Sequence, residues 1–378
     1  MDRTRRPALD GLRALAALGV VVHHCWQYSG NPEPWNLWLQ LSLGVALFFC
    51  LSGFLVYGPW ASGRQIRVGR FYALRAARIL PLYYLTVVAA LVLLAGTGHA
   101  RDIDHWPQLL GFAVFAQNYS PELAGHLNPP TWTLAIEVTF YAFVPLIGLV
   151  ARRRLSVLVA LTAASVAWSK LTPEPAVVQQ TLLDVFGLFG VGMIARVLTE
   201  GRAVPKWLVR ALLVGGAALV VTYAIGRLGN ALGPLPAGVG FAAIVVACST
   251  PHAPRLLSAR PLADLGTLSY GVYLWHYPIL LGLQAHDLLP ERDFAATCAL
   301  VGALSIAAAA LTWHALEQPI MSRAKRGGTR AGVRPSLRAA RGWAAACRTP
   351  SLPRRARSAA SPARRGPAPH PSVRGSRG

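Results

Sequence analysis

Long apolar segments recur along almost the whole chain and are separated by short polar stretches. Eight of them carry no Asp, Glu, Lys or Arg: residues 14–32, 34–63, 79–100, 155–169, 211–226, 228–254, 265–286 and 294–316. Two more, 131–150 and 177–195, are each interrupted by one acidic residue, Glu137 and Asp184. About 20 apolar residues suffice for a helix to cross a bilayer. The pattern predicts an all-α, polytopic membrane protein with about ten transmembrane helices.

The distribution of positive charge predicts the orientation of these helices. With the N-terminus inside, the stretches assigned to the cytoplasm hold 18 Lys or Arg and the external loops hold 4. Cytoplasmic loops of membrane proteins carry such an excess. We therefore expect both termini inside. Since Arg outnumbers Lys 34 to 3, as is typical of a GC-rich bacterial genome, we expect a multi-pass protein of the plasma membrane of a bacterium.

The character of the chain changes at residue 323. Residues 323–378 contain 15 of the 37 Lys and Arg, no acidic residue, and much Pro, Gly, Ser and Ala. Such a composition predicts a disordered segment. We divide the chain into a transmembrane domain, 1–322, and a basic cytoplasmic tail, 323–378. Anionic membrane lipid is a more economical partner for a tethered basic segment than nucleic acid, which is not expected.

Arg13 and His24 lie on one face of the first apolar segment. They are eleven residues apart, and at about 100° per residue this spacing closes three helical turns with roughly 20° left over. The two side chains are therefore about 16 Å apart along one face. Ionisable groups inside a membrane helix are costly and indicate a functional site. His23 points about 100° away and is interpreted as a packing histidine.

Glu137 lies about 9 Å inside the segment 131–150. An unpaired carboxylate at this depth would be unfavourable, so a partner is expected. One hypothesis is His24, because a carboxylate can fix the tautomer of a histidine base. The other is a structural hydrogen bond to the backbone or a Trp.

Two further groups of polar residues have both a structural and a functional interpretation. Arg75 and Arg78 share a helix face and are either membrane anchors or a clamp for the phosphates of a nucleotide-bearing donor. Ser269, Tyr273 and His276 follow an i, i+4, i+7 pattern. This stripe either joins helices or lines a substrate tunnel.

Some chemistries are disfavoured by missing motifs. The chain has no P-loop, H-E-x-x-H, G-x-G-x-x-G or C-x-x-C pattern. Its five cysteines show no metal-ligand or disulfide spacing, so no metal is expected. His314 and Glu317, an i, i+3 pair near the end of the last apolar segment, are interpreted as a helix-end pair or anchor.

Six sequence blocks occur in order between residues 9 and 319. They are LDGLRALA at 9–16 with His24, GVALFFCLSGFL at 44–55, R-x-x-R-I-L-P at 75–81, W-x-L-x-x-E-x-x-F-Y at 132–141, S-Y-x-x-Y-L-x-H-x-P at 269–278 and E-Q-P at 317–319. This set resembles the acyltransferase 3 family of integral-membrane O-acyltransferases, which acylate sugars of surface polysaccharides and sometimes of macrolides.

The resemblance implies roles for particular residues. Arg13 and His24 correspond to the family's pair implicated in acyl transfer, and Arg75 and Arg78 to its motif for handling the donor. It also implies acyl-CoA, with acetyl-CoA as the first form to test, as co-substrate and a sugar hydroxyl of a surface glycan, glycolipid or macrolide-type glycoside as acceptor.

Two mechanisms and a second function remain open at this point. His24 can act as a general base towards the acceptor hydroxyl, oriented by Glu137, or carry the acyl group itself. The stripe Ser269, Tyr273 and His276 is assigned to substrate binding. The alternative function is a proton-coupled transporter with an intramembrane relay of Arg, His and Glu side chains.

Overall fold

The computed structural model describes residues 6–29, 40–95, 106–120, 123, 127–171, 181–228, 232–290 and 293–330. All regular elements in these ranges are helical, which confirms the all-α expectation. The helices are α1 Pro7–Tyr28, α2 Gly44–Val56, α3 Gly58–Ala61, α4 Val68–Leu94, α5 Trp106–Ala113, α6 Trp132–Ala151, α7 Leu155–Leu171, α8 Leu182–Thr199, α9 Lys206–Ala224, α10 Leu235–Cys248, α11 Arg260–Ala285, α12 Phe294–Thr312 and α13 Gln318–Arg330. A π-helical turn, Trp313–Glu317, joins α12 to α13.

Several of these helices can cross a bilayer. Six stretches are long and apolar enough: Pro7–Tyr28, Val68–Leu94, Pro129–Ala151, Leu182–Thr199, Lys206–Ala224 and Phe294–Arg326. Shorter apolar helices occupy Leu41–Val56, Leu155–Leu171 and Leu235–Cys248. A multi-pass membrane protein is thereby confirmed, whereas the number of ten crossings and the orientation remain predictions. We call the end of the bundle where α1 begins the inner end, which the charge distribution assigns to the cytoplasm, and the opposite end the outer end.

Helix α1 packs along helix α11, and two contacts define their relative direction. At the inner end, Gly266 lies so close to the backbone carbonyl of Asp10 that a Cβ at position 266 would overlap it. Towards the outer end, the hydroxyl oxygens of Tyr28 and Tyr277 are 2.6 Å apart. Residues near both helix starts meet, and so do residues near both helix ends. The two helices therefore run parallel, which brings the polar stripe of α11 beside α1.

A second close crossing shapes helix α2. Gly53 lies against the carbonyl of Phe189 in α8, where a Cβ would overlap the backbone. Glycine at this position lets the two helices approach to backbone contact. Phe48 and Ser52 of α2 line a cavity inside the bundle.

The outer end of α6 is held by the segment that precedes it. The side-chain amide of Gln117 donates to the carbonyl of Thr131 at 3.1 Å, and that of Asn118 donates to the carbonyl of Trp132 at 2.9 Å. Asn128 donates across to the carbonyl of Leu274 in α11 at 3.2 Å. These bonds connect the start of α6 to the outer half of α11.

Contacts between residues separate the chain into two units, 1–329 and 330–378. The predicted tail begins within α13, whose helical residues extend to Arg330. The remainder of that tail, 331–378, lies outside the described residues. The division into 1–322 and 323–378 stays a prediction.

Candidate active site

One cavity brings together six of the eight predicted site residues. It has a volume of about 130 Å³ and lies among α1, α2, α4, α6 and α11. The predicted residues that line it are Arg13, Arg75, Arg78, Glu137, Ser269 and Tyr273. Aliphatic and aromatic side chains such as Leu51 and Phe48 form much of its remaining wall. We call it the central cavity.

Arg13 lies where the central cavity meets wider openings at the inner end. It also lines a cavity of about 460 Å³ that includes both predicted arginines of α4 and reaches Lys325 of α13. We call this wider cavity the vestibule. Nη1 of Arg13 lies 3.6 Å from Oδ1 of Asp10, the ion pair that Arg13 makes among the described residues. The lining of the vestibule therefore carries more positive than negative charge, with three arginines and Lys325 against Asp10.

Arg75 is held by aromatic rings rather than by a carboxylate. Its guanidinium carbon lies 5.5 Å from the ring centre of Phe71 and 5.0 Å from that of Tyr141. Among the described residues, no carboxylate comes within salt-bridge distance of it. Stacking on aromatic faces is favourable for guanidinium and leaves its N–H groups available. Arg75 can thus offer donors to an anion.

Arg78 has a buried counter-ion. Its Nη1 lies 3.2 Å from Oε2 of Glu317, whose side chain is 2% exposed. The rings of Tyr270 and Trp313 flank the guanidinium at 5.2 and 5.4 Å. The interpretation of Glu317 as the partner of His314 is wrong. Because the two residues fall in a π-helical turn, Glu317 is turned inwards and His314 is exposed.

Glu137 accepts hydrogen bonds from two hydroxyl groups. Ser52 Oγ in α2 donates to its Oε1 at 2.9 Å, and Tyr141, one turn further along α6, donates to the same oxygen. The hypothesis that Glu137 pairs with His24 is wrong. Glu137 faces α2 across the central cavity, whereas His24 lies in the contact between α1 and α11. Glu137 can therefore act on the contents of the cavity but does not orient His24.

His24 and His276 form a pair outside the lining of the central cavity. His24 Nδ1 is 3.0 Å from His276 Nε2, and His276 Nδ1 is 2.6 Å from the carbonyl oxygen of Tyr273. His276 is fully buried and His24 is half-buried. The ring of Tyr277 stands edge-on to His24, with the ring centres 5.0 Å apart. The sequence predicts a role for each histidine, and the structure adds their contact.

Two aromatic rings separate the central cavity from the histidine pair. Phe48 and Tyr273 both line the cavity, and their ring centres are 5.8 Å apart. The ring of Tyr273 also lies 5.7 Å from that of His276. Its hydroxyl donates to the carbonyl of Pro130 at 3.0 Å and lies 2.9 Å from the hydroxyl of Thr133. We call Phe48 and Tyr273 the aromatic partition.

Sequence reasoning misses several residues of this site. It interprets Glu317 as part of a helix-end pair or anchor with His314, and it does not single out Ser52, Thr133 or Tyr141. Of these, Tyr141 carries a usable signal, since it lies at i+4 from Glu137 and faces the same side of the helix. Ser269 lines the central cavity, and its hydroxyl donates to the carbonyl of Gly266 at 2.8 Å; its role in substrate binding stays a prediction.

The fold and the site together define a polytopic membrane protein with a basic cavity and a buried histidine pair. The chain belongs to the acyltransferase 3 family, because the family model described as an acyltransferase domain matches residues 6–314. The expectation of a membrane O-acyltransferase is thereby confirmed.

Three relatives illustrate the similarity. Nodulation protein 10 of Rhizobium leguminosarum is 28% identical over 84% of this chain and 93% of its own length. The peptidoglycan O-acetyltransferase OatA of Listeria monocytogenes is 26% identical over 74% of this chain, but the match spans only 51% of that protein. The acyltransferase MdmB of Streptomyces mycarofaciens is 32% identical over 38% of this chain and 39% of its own length. No solved structure matches the chain.

Proposed function

We propose that this protein transfers a short acyl group, such as acetyl, from acyl-CoA to a sugar hydroxyl of a glycan, glycolipid or glycoside at the bacterial plasma membrane. The observation that carries the proposal is the continuity of basic vestibule and central cavity, which share Arg13, Arg75 and Arg78. That continuity forms a route from the inner end to the aromatic partition, where the ring of Tyr273 lies beside His276, the partner of His24. Family membership favours this enzyme over the proton-coupled transporter.

The charge of the vestibule suits the phosphates of CoA. Three arginines and Lys325 line it, and Asp10 is the acidic residue in its lining. Arginine presents a rigid fork of donors that matches phosphate oxygens. Phosphates held at the vestibule would leave the thin pantetheine arm and its thioester to enter the central cavity.

The size of the central cavity favours a short acyl group. Its volume of about 130 Å³ is less than a third of the 460 Å³ of the vestibule. The aromatic partition closes its far end. An acetyl thioester fits such a space more readily than a long acyl chain. The name of one relative, a peptidoglycan O-acetyltransferase, supports an acetyl group and a glycan acceptor.

His24 is the proposed general base. The acceptor oxygen attacks the thioester carbonyl carbon, its proton passes to the imidazole, and the C–S bond breaks. CoA leaves as a thiolate, which takes the proton back from the imidazolium. Base catalysis of this kind contributes typically about 10² to 10⁴ in rate. The thioester must pass the aromatic partition to meet a hydroxyl beside His24.

The overall proposal is tested with purified protein in nanodiscs and labelled acetyl-CoA. Sugar-containing extracts of a deletion strain serve as acceptors, and mass spectrometry identifies the product. We expect acceptor-dependent release of CoA and a gain of one acetyl group on a sugar. Absence of CoA release with every extract, together with proton-coupled solute uptake in proteoliposomes, would favour the transporter.

Replacing Arg75 by alanine is expected to raise the KM for acyl-CoA about 10- to 100-fold, since a hydrogen bond to a charged group contributes about 1.5–3 kcal/mol. The acceptor KM should change little. The measurement is initial rate against donor concentration. The matched control is Arg70→Ala, which removes an exposed arginine of the same helix that lines neither cavity. Equal donor KM values for both variants would contradict the assignment of Arg75.

Replacing Phe48 by alanine is expected to widen the acyl-chain preference, because it removes one ring of the aromatic partition. The ratio of kcat/KM for butyryl-CoA to that for acetyl-CoA should rise several-fold; one extra methylene in a pocket is worth about 1–3 kcal/mol. Phe143→Ala is the control, since Phe143 is 51% exposed on α6 and does not line the cavity. An unchanged ratio in the Phe48 variant would argue against this boundary.

A further inference from the structure

The contact between His24 and His276 indicates which ring nitrogen of each histidine carries its proton. A neutral imidazole carries one proton on one of its two ring nitrogens, and the other nitrogen is an acceptor. His276 Nδ1 is 2.6 Å from the carbonyl oxygen of Tyr273. A carbonyl only accepts, so the proton of His276 lies on Nδ1. Its Nε2 then carries a lone pair.

That lone pair determines the tautomer of His24. His276 Nε2 faces His24 Nδ1 at 3.0 Å, and two lone pairs at this distance would repel each other. His24 Nδ1 must therefore carry the proton and donate it to His276.

With its one proton on Nδ1, neutral His24 has its lone pair on Nε2. We propose that His276 is the positioning residue that holds His24 in this tautomer, so that Nε2 is the nitrogen that receives the acceptor's proton. The inference rests on the proposed role of His24 as general base. It replaces the assignment of His276 to substrate binding, because both nitrogens of this fully buried ring are already engaged.

The same bond also stabilises the product of proton transfer. When Nε2 of His24 takes the proton, Nδ1–H still donates to His276, and a charged donor makes a stronger hydrogen bond than a neutral one. The chain from His24 through His276 to the Tyr273 carbonyl thus favours imidazolium formation. It does so without a carboxylate, since Glu137 binds Ser52 and Tyr141 instead.

Two amide substitutions of His276 distinguish its proposed role in positioning His24 from a role in packing alone. In His276→Gln the amide can reach the position of Nε2 and accept from His24. In His276→Asn, one methylene shorter, it can reach only the position of Nδ1 and the Tyr273 carbonyl. We expect His276→Gln to keep kcat within a few-fold of wild type and His276→Asn to lower it about 10- to 100-fold, as for other partners that orient a histidine. The donor KM should change in neither variant.

The tautomer itself is measured by solid-state ¹⁵N NMR of histidine-labelled wild-type protein in nanodiscs. The His24 signals are assigned by their loss in His24→Gln. We expect an unprotonated Nε2 and a protonated Nδ1 in wild type and in His276→Gln, and a proton partly on Nε2 in His276→Asn. A wild-type His24 protonated at Nε2, or equal kcat losses in the two amide variants, overturns the proposal. Full activity of His24→Gln would instead overturn the general-base function on which it rests.

Discussion

Replacing His24 by glutamine is expected to lower kcat by about 10² to 10⁴, the usual contribution of a general base. Glutamine keeps a polar side chain of similar length but cannot take up a proton at neutral pH. The KM for acyl-CoA should stay near the wild-type value, because His24 does not line the central cavity or the vestibule. Steady-state rates of CoA release, measured against donor concentration, separate the two parameters.

The neighbouring histidine offers the matched control. His23 is also buried, with 8% of its surface exposed, and its ring centre lies 5.0 Å from that of His24. His23→Gln removes a histidine from the same turn without removing the proposed base. It should retain most of the turnover. If both variants lost turnover equally, or if His24→Gln turned over like wild type, the assignment of the base would be wrong.

An acyl group carried on His24 would give a different result from general-base catalysis. Wild-type protein mixed with labelled acetyl-CoA and no acceptor would then become labelled itself, and His24→Gln would not. We expect no label on the protein, because a general base takes up only the proton of the acceptor hydroxyl and forms no bond to the acyl carbon. Denaturing mass spectrometry of the quenched mixture distinguishes the two routes.

Helical periodicity is sufficient to predict which side chains share a face. Arg13 and His24, and the stripe Ser269, Tyr273 and His276, are found from spacing alone, because successive turns of a helix align residues at fixed intervals. Charge in apolar surroundings is sufficient to single out Glu137. These signals are local, and the helical fold class can be predicted from segment length in the same way.

Partners that come from distant parts of the chain cannot be predicted by spacing. His24 and His276 are separated by 252 positions, and Arg78 and Glu317 by 239. Periodicity shows that each residue faces other helices but does not show which helix. Glu317 is further obscured by the π-helical turn, since an extra residue in a turn rotates the later side chains away from the face that regular α-helical spacing predicts.

The second large effect, a loss of stability, is expected when the ion pair of Arg78 and Glu317 is broken. Removing one partner of a buried pair costs about 3–5 kcal/mol, because the other charge is left uncompensated. The side chain of Arg78 is 26% exposed, so water relieves part of this and we expect about 1–3 kcal/mol for Glu317→Ala. Thermal unfolding in detergent should show a clearly lower midpoint than for wild type.

The double variant Arg78→Leu with Glu317→Leu separates stability from donor binding. Replacing both charges by apolar side chains is often nearly neutral for stability, so the midpoint should return towards wild type. The KM for acyl-CoA of the double variant should nevertheless be higher than that of wild type, because the guanidinium of Arg78 that lines the vestibule is gone. Glu200→Ala is the control for the donor KM. It breaks the ion pair with Arg196, 2.5 Å long, which lies outside the central cavity and the vestibule, so the KM for acyl-CoA should stay at the wild-type value. A double variant that recovers donor affinity together with stability would mean that Arg78 serves the fold and not the donor.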